Sequence, residues 1–215
     1  MPKTKQQKNG NRKWLTSYFL IHIIIFCIFA GIINLNLIEM DQMLPKLKSP
    51  QSFIPLIAAI LIIVLEGILK NGIKEFLVFW RFRNRLPGHR AFSHIGPNDP
   101  RIDMTRLASL FPDGVPEDPK RQNNEWYRLY RNFRDEPQVF FSHKAFLLTR
   151  DLASLTVVFI PLAISGHFLL GTTPAVIAYH LTLLVVLFVL MSLSSRNYAE
   201  RFVANVLVEA SIMQN

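Results

Sequence analysis

The sequence predicts an all-α integral membrane protein, with four transmembrane helices and a helical cytoplasmic segment between spans two and three. Three observations carry that expectation. Apolar residues make up 50% of the 215, and they are gathered into long runs instead of being spread along helix or strand faces. Uncharged stretches run from Trp14 to Ile38, from Leu152 to Gly171 and from Thr172 to Ser195; a helix needs ~20 apolar residues to cross a hydrocarbon core of ~30 Å. A fourth stretch, Ser52 to Leu69, carries one carboxylate, Glu66. No alternating pattern suggests a membrane barrel, which leaves helices as the spanning structure.

Charge sets the orientation. Of the 24 Lys and Arg residues, all but Lys46 and Lys48 fall on one side if the N-terminal tail, the central polar segment and the C-terminus share it. The positive-inside rule makes that side the cytoplasm. The formal net charge of +9 then reads as basic flanks against the anionic inner leaflet, and nucleic acid is not expected as a partner.

The elements follow in order. Residues 1–13 form a basic cytoplasmic tail expected to lack regular structure. The first span covers 14–36, opening on Trp14 at headgroup level. Its basic start resembles a signal peptide, but its length and the weak cleavage pattern around Phe29, Ala30 and Gly31 predict an uncleaved anchor. Cys27, the single cysteine, lies in this span and has no intrachain disulfide partner. An outer loop, 37–51, contains Pro45 and Pro50. The second span covers 52–70. It is expected to run on as an amphipathic interfacial helix over 71–86, where Lys74, Glu75 and Arg81 alternate with Ile73, Phe76, Leu77, Phe79 and Trp80, up to the turn at Leu86-Pro87-Gly88.

The cytoplasmic segment, 87–144, is cut by prolines into short pieces. Asp103 is placed to cap a helix from Met104 to Phe111. Asp118 followed by Pro119 is a helix start, a capping carboxylate and then proline at the first helical position. That helix sets Trp126, Tyr130 and Phe133 on one aromatic face, predicted as a partner-docking face. It has too little apolar material for a core of its own, so it is expected to pack on the membrane face, the C-terminal helix or a neighbouring subunit. Asp135 or Glu136 before Pro137 repeats the start signal for a helix running into span three, 145–171. Span four covers 174–195. An amphipathic cytoplasmic helix follows over 196–215.

Candidate functional groups are few. Glu66 and Lys70 have the favourable helical i,i+4 spacing, and Arg150 and Asp151 enter the same interface, so the four are expected to form a charge cluster with a structural or gating role. Arg81, Arg83, Arg85 and Arg90 form a collar suited to anionic lipid, worth ~1 kcal/mol per cation near the surface. His167 and His180 flank the Gly171-Thr172-Thr173-Pro174 turn and are expected at similar depth; no third ligand of matching spacing accompanies them, with His22 and Cys27 in another span. Pro161 interrupts span three, a kink or gating element. His89 and His94 make no zinc pattern, and no catalytic motif or cofactor signature is present.

The strings Leu86-Pro87-Gly88-His89-Arg90-Ala91-Phe92-Ser93, Asp99-Pro100-Arg101-Ile102-Asp103, Asn124-Glu125-Trp126-Tyr127-Arg128-Leu129-Tyr130 and Phe146-Leu147-Leu148-Thr149-Arg150-Asp151 resemble a group of uncharacterised bacterial four-span membrane proteins. The resemblance covers about a third of the chain. It implies a bacterial inner membrane and no activity, ligand or catalytic residue. The expected function is a membrane-tethered docking or assembly module, self-associating, for a cytoplasmic protein partner. A triggered membrane-perturbing effector and a membrane enzyme acting on lipid headgroups are the alternatives.

Overall fold

The computed structural model describes residues 3–32 and 69–212. The outer loop 37–51, nearly all of the expected second span and Glu66 lie outside the described residues. All regular elements within them are helical: α1 (Lys3–Phe29), α2 (Asn71–Phe79), α3 (Met104–Ser109), α4 (Pro119–Phe133), α5 (Pro137–Leu169) and α6 (Pro174–Ile212). Short helical turns at Pro87–Arg90, Ala91–Ile95 and Gly96–Asn98 lie between α2 and α3.

Two of these helices, α5 and α6, are long and apolar enough to cross a membrane; the apolar part of α1, Lys13–Phe29, is shorter. The first span was expected to reach residue 36. Instead α1 ends in a glycine cap: Gly31 takes φ 70°, Ile32 N donates to the Cys27 carbonyl at 2.9 Å and Gly31 N to the Ile28 carbonyl at 3.0 Å. This paired pattern satisfies the last carbonyls and stops the helix. Gly171, at φ 63°, ends α5 the same way, with Thr172 N on the His167 carbonyl at 3.1 Å. At its other end α1 begins at Lys3, where an irregular tail was expected. Extending a helix already nucleated costs little, and Lys, Gln and Arg are good helix formers.

The long hairpin of α5 and α6 is the spine. Contacts along α1 climb together with those along α5, from Asn11 Nδ2 on the Lys144 carbonyl at 3.1 Å through Tyr18 Oη to Thr156 Oγ1 at 2.7 Å to the Phe26 and His167 rings, 4.9 Å apart. The two helices therefore run parallel. α6 runs antiparallel, with His180 beside His167 and Asn205 Nδ2 on the Gln138 carbonyl at 3.3 Å. Gly166 makes room for the Phe26 ring of α1, since a Cβ there would sit 2.6 Å from Phe26 Cζ. The upper storey buries Phe19, Leu155, Phe159, Ala163 and Leu184 together.

The lower storey is one continuous core. Its α6 side supplies Ala199, Phe202, Val203, Ala204, Val206, Leu207 and Ala210. Against them pack Val78 and Phe79 of α2, Phe92 and Ile95 of the turns, Ile102 just before α3, Leu107 of α3, and Trp126, Leu129 and Phe133 of α4. The expected boundary between span four and a separate C-terminal helix does not exist, because α6 is unbroken. At ~1.5 Å per residue it is about 58 Å long, far more than a bilayer core needs.

Several starts follow the sequence signals. The Asp103 carboxylate caps α3, accepting from Thr105 N and Arg106 N at 3.0 Å each; α3 ends at Ser109, shorter than the expected Phe111. Asp118 caps α4 through Arg121 N at 2.9 Å. The turns are fixed by Gln122, whose Oε1 accepts from Phe92 N at 3.1 Å, Ser93 N at 3.2 Å and Ser93 Oγ at 3.1 Å. Gly88 lies so close to α4 that a Cβ would fall 2.9 Å from the Trp126 ring.

The amphipathic helix expected over 71–86 is corrected. Lys70 is extended, at φ −59° and ψ 146°, and α2 starts only after it. α2 then ends at Phe79, where Trp80 adopts φ 52°. From there the chain turns back, and Arg85 donates from Nη1 to the Gly72 carbonyl at 2.9 Å and from Nε to the Arg81 carbonyl at 2.9 Å.

Candidate functional site

Charged groups gather where the two storeys meet. α5 brings Arg150 and Asp151 to that level, one residue before its apolar stretch opens at Leu152, and α2 lies across them. The Asp151 carboxylate accepts from Arg150 Nη2 at 2.9 Å and from Lys74 Nζ at 3.4 Å. All three side chains are largely covered, at 12%, 9% and 18% exposure for Arg150, Lys74 and Asp151. The Arg150 guanidinium also lies 5.7 Å from the centre of the Phe146 ring. Beside them burial pushes the Glu75 carboxyl up, against opposing pulls from Arg150, Arg85 and His89.

Of the expected cluster, then, Arg150 and Asp151 meet, while Lys70 is exposed at the start of α2 and Glu66 lies outside the described residues. Lys74 and Glu75 join instead. Both were legible as the polar side of an amphipathic stretch, but their depth depends on where α2 begins.

The expected arginine collar divides. Arg81 and Arg83 are exposed, Arg85 is half-buried against α2, and Arg90 is half-buried beneath the loop. A fifth arginine joins from α6. Arg196 donates from Nε to the Val78 carbonyl at 2.6 Å, and its guanidinium lies 4.1 Å from the centre of the Trp80 ring. It satisfies a carbonyl in the last turn of α2 and stacks on the residue that ends the helix. The sequence signal for Arg196 was its place just past the last apolar run, which reads as an ordinary flanking cation.

The predicted docking face is corrected as well. Trp126 is 6% and Phe133 7% exposed, and the face is turned onto α6. Trp126 Nε1 donates to the Val203 carbonyl at 3.4 Å, and its ring meets Phe202 edge-on at 5.1 Å. Tyr130 Oη bonds His143 Nδ1 at 3.0 Å, and the His143 ring stacks on Phe202 at 4.5 Å. Turning these aromatics towards the chain's own core is favoured over leaving them in water. Trp126 and Phe133 are core residues with no surface left for another protein, and Tyr130 is half-buried against them.

His167 and His180 do meet, Nε2 to Nδ1 at 2.9 Å, boxed by Phe26 and by Phe29, which stacks on His180 at 4.8 Å. His22 points elsewhere, to the Tyr18 carbonyl at 2.9 Å. Among the described residues no group of three His, Cys, Asp or Glu side chains is arranged to hold a metal ion. His89 and His94 are turn residues, bonded to the Pro119 carbonyl at 3.0 Å and to Asn98 at 3.2 Å.

No protein-family model matches this chain, and neither the curated proteins nor the solved structures hold a match to it.

Proposed function

We propose that the protein is a multi-pass inner-membrane protein whose cytoplasmic layer is a docking or assembly platform for a cytoplasmic partner. The four spans would be α1, the 52–70 stretch and the upper parts of α5 and α6. Support comes from the chain directions: the start of α1, the start of α5 and the end of α6 share one end of the bundle, as the positive-inside arrangement requires. Leu20, Ile21 and Ile24 on α1 and Val185, Val186, Leu190 and Leu193 on α6 are exposed apolar residues, suited to lipid tails or to a second copy of the chain.

One observation carries the docking role. Because Trp126 and Phe133 are buried against α6, α4 is held rigidly and its opposite face is left open. That face presents Lys120, Arg121, Tyr127, Arg128 and Arg131, all exposed, with the Arg131 guanidinium 6.0 Å from the Tyr127 ring centre. A basic face with an exposed tyrosine suits an acidic protein surface, where charge complementarity raises the rate of encounter.

The test is a photo-crosslinking residue placed at Tyr127 in the membrane-embedded protein. The expected result is a discrete adduct with another protein, lost when Arg128 and Arg131 are both changed to Glu. An adduct only with lipid, or none, would overturn the docking role.

A further inference from the structure

A buried polar pair sits at the turn end of the α5–α6 hairpin, apart from the charged junction. His167 and His180 are 0% and 2% exposed, and His167 Nε2 lies 2.9 Å from His180 Nδ1. The two rings stand perpendicular, at 89°. Phe29 stacks on His180 at 4.8 Å, and Phe26 leans on His167 at 4.9 Å. His167 Nδ1 is buried with no hydrogen-bond partner among the described residues. Polar rings inside an apolar bundle are costly to place, and ionisable groups at such positions point to a function.

Each neutral imidazole has one N–H and one lone pair, so one ring donates and the other accepts across the 2.9 Å gap. One added proton makes the donor ring an imidazolium that still donates to its neighbour, and the bond survives as a charge-assisted one. A second added proton would leave both facing nitrogens as donors on two cations in contact, which repulsion opposes strongly away from water. The described helices bring no counter-ion to the pair. No Asp, Glu, Lys or Arg occurs on α1 after Lys13, on α5 after Asp151 or on α6 before Arg196. The other titratable side chains of those stretches are Tyr18, His22 and Cys27 of α1 and Tyr179 of α6. Tyr18 is bonded to Thr156 and His22 to the Tyr18 carbonyl; Cys27 is a buried thiol and Tyr179 is exposed. A positive charge would therefore rest on the second imidazole and on the faces of Phe26 and Phe29, since aromatic rings attract a cation within ~6 Å.

We infer that His167 and His180 together form a binding site for a single proton, shared across their facing nitrogens and held between the Phe26 and Phe29 rings. Access is short. His167 lies four residues before Gly171, and its carbonyl ties down the turn through Thr172 N at 3.1 Å and Thr172 Oγ1 at 3.3 Å. Brief fraying of that turn brings water to the pair. The site is separate from the α4 face and does not depend on docking there; only the side of the bilayer that supplies the proton rests on the membrane reading.

The test is nitrogen-15 NMR of the full chain in detergent micelles, with ring-labelled histidine, from about pH 8 to about pH 5, a window that brackets the ordinary histidine range. The facing nitrogens are expected to show a coupling across their hydrogen bond at the upper end. They should keep it on acidification, while both rings respond together to one proton. These wild-type signals decide without any variant. His167→Gln and His180→Gln assign them, and in each the remaining ring should lose the coupling and titrate alone. Phe29→Leu removes a ring face but no hydrogen bond, so it should move the uptake to more acid pH by about half a unit or more. Facing nitrogens without coupling, a pair that stays neutral across the window, or two rings each taking a proton of its own would overturn the site. Unchanged uptake in Phe29→Leu would overturn the part given to the aromatic rings.

Discussion

Gln122 shows how one buried polar side chain can fix a loop. It is 1% exposed, its Oε1 takes three donors from Phe92 and Ser93, and its Nε2 donates to the Glu117 carbonyl at 2.8 Å. Replacing it with Leu keeps the volume and strands those donors. The expected cost is about 1–3 kcal/mol, read as a lower denaturation midpoint of the purified protein. His143 gives a pH dependence. Burial, and then the charge of Arg150, hold its imidazole down to about 4 from 6.5. The folded state keeps the ring neutral while the unfolded chain takes up a proton, so stability is full above 6.5 and falls as pH drops towards 4. Thermal melts across that window should show the loss, and His143→Gln should flatten the slope.

At the scale of elements, Asp151 is the clasp between α2 and α5. Changing it to Asn leaves Arg150 and Lys74 covered without their shared carboxylate, a loss of about 3 kcal/mol. Adding Lys74→Met should recover part of it in a double-mutant cycle of melting midpoints; no recovery would mean that Lys74 and Asp151 are not coupled. The same elements show what a single sequence discloses. The start of α4 was legible because Asp118 and Pro119 are local signals. The passage of α5 from polar segment into apolar stretch was legible for the same reason. The end of α2 was not, since Trp80 stops the helix with Arg196 stacked on its ring from the distant α6. Nor was the inward turn of Trp126, Tyr130 and Phe133 decided by their spacing, which fits a docking face and a buried face alike. That choice was made by Phe202 and Val203, on a helix more than sixty positions along the chain. The cap at Gly31 had a visible glycine but no polar neighbours to mark it within an apolar run.

On the scale of the whole molecule, the hairpin of α5 and α6 sets everything else. Its upper half exposes apolar residues such as Phe168 at 83% and Leu169 at 84%, which in water would be an unfavourable surface. Its lower half binds the polar segment into a shared core, so the basic face of α4 is held at fixed depth below the apolar storey. The central claim is that a bilayer separates the turn at Thr173 from the face at Asn124. The direct measurement starts from a Cys27→Ser background, since Cys27 is the sole cysteine, and adds one cysteine at Thr173 or at Asn124. A membrane-impermeant maleimide is then applied to intact spheroplasts and to permeabilised ones. Labelling at Thr173 in both, and at Asn124 only after permeabilisation, is the predicted result. Labelling at both positions in intact spheroplasts, or at Asn124 alone, would contradict it.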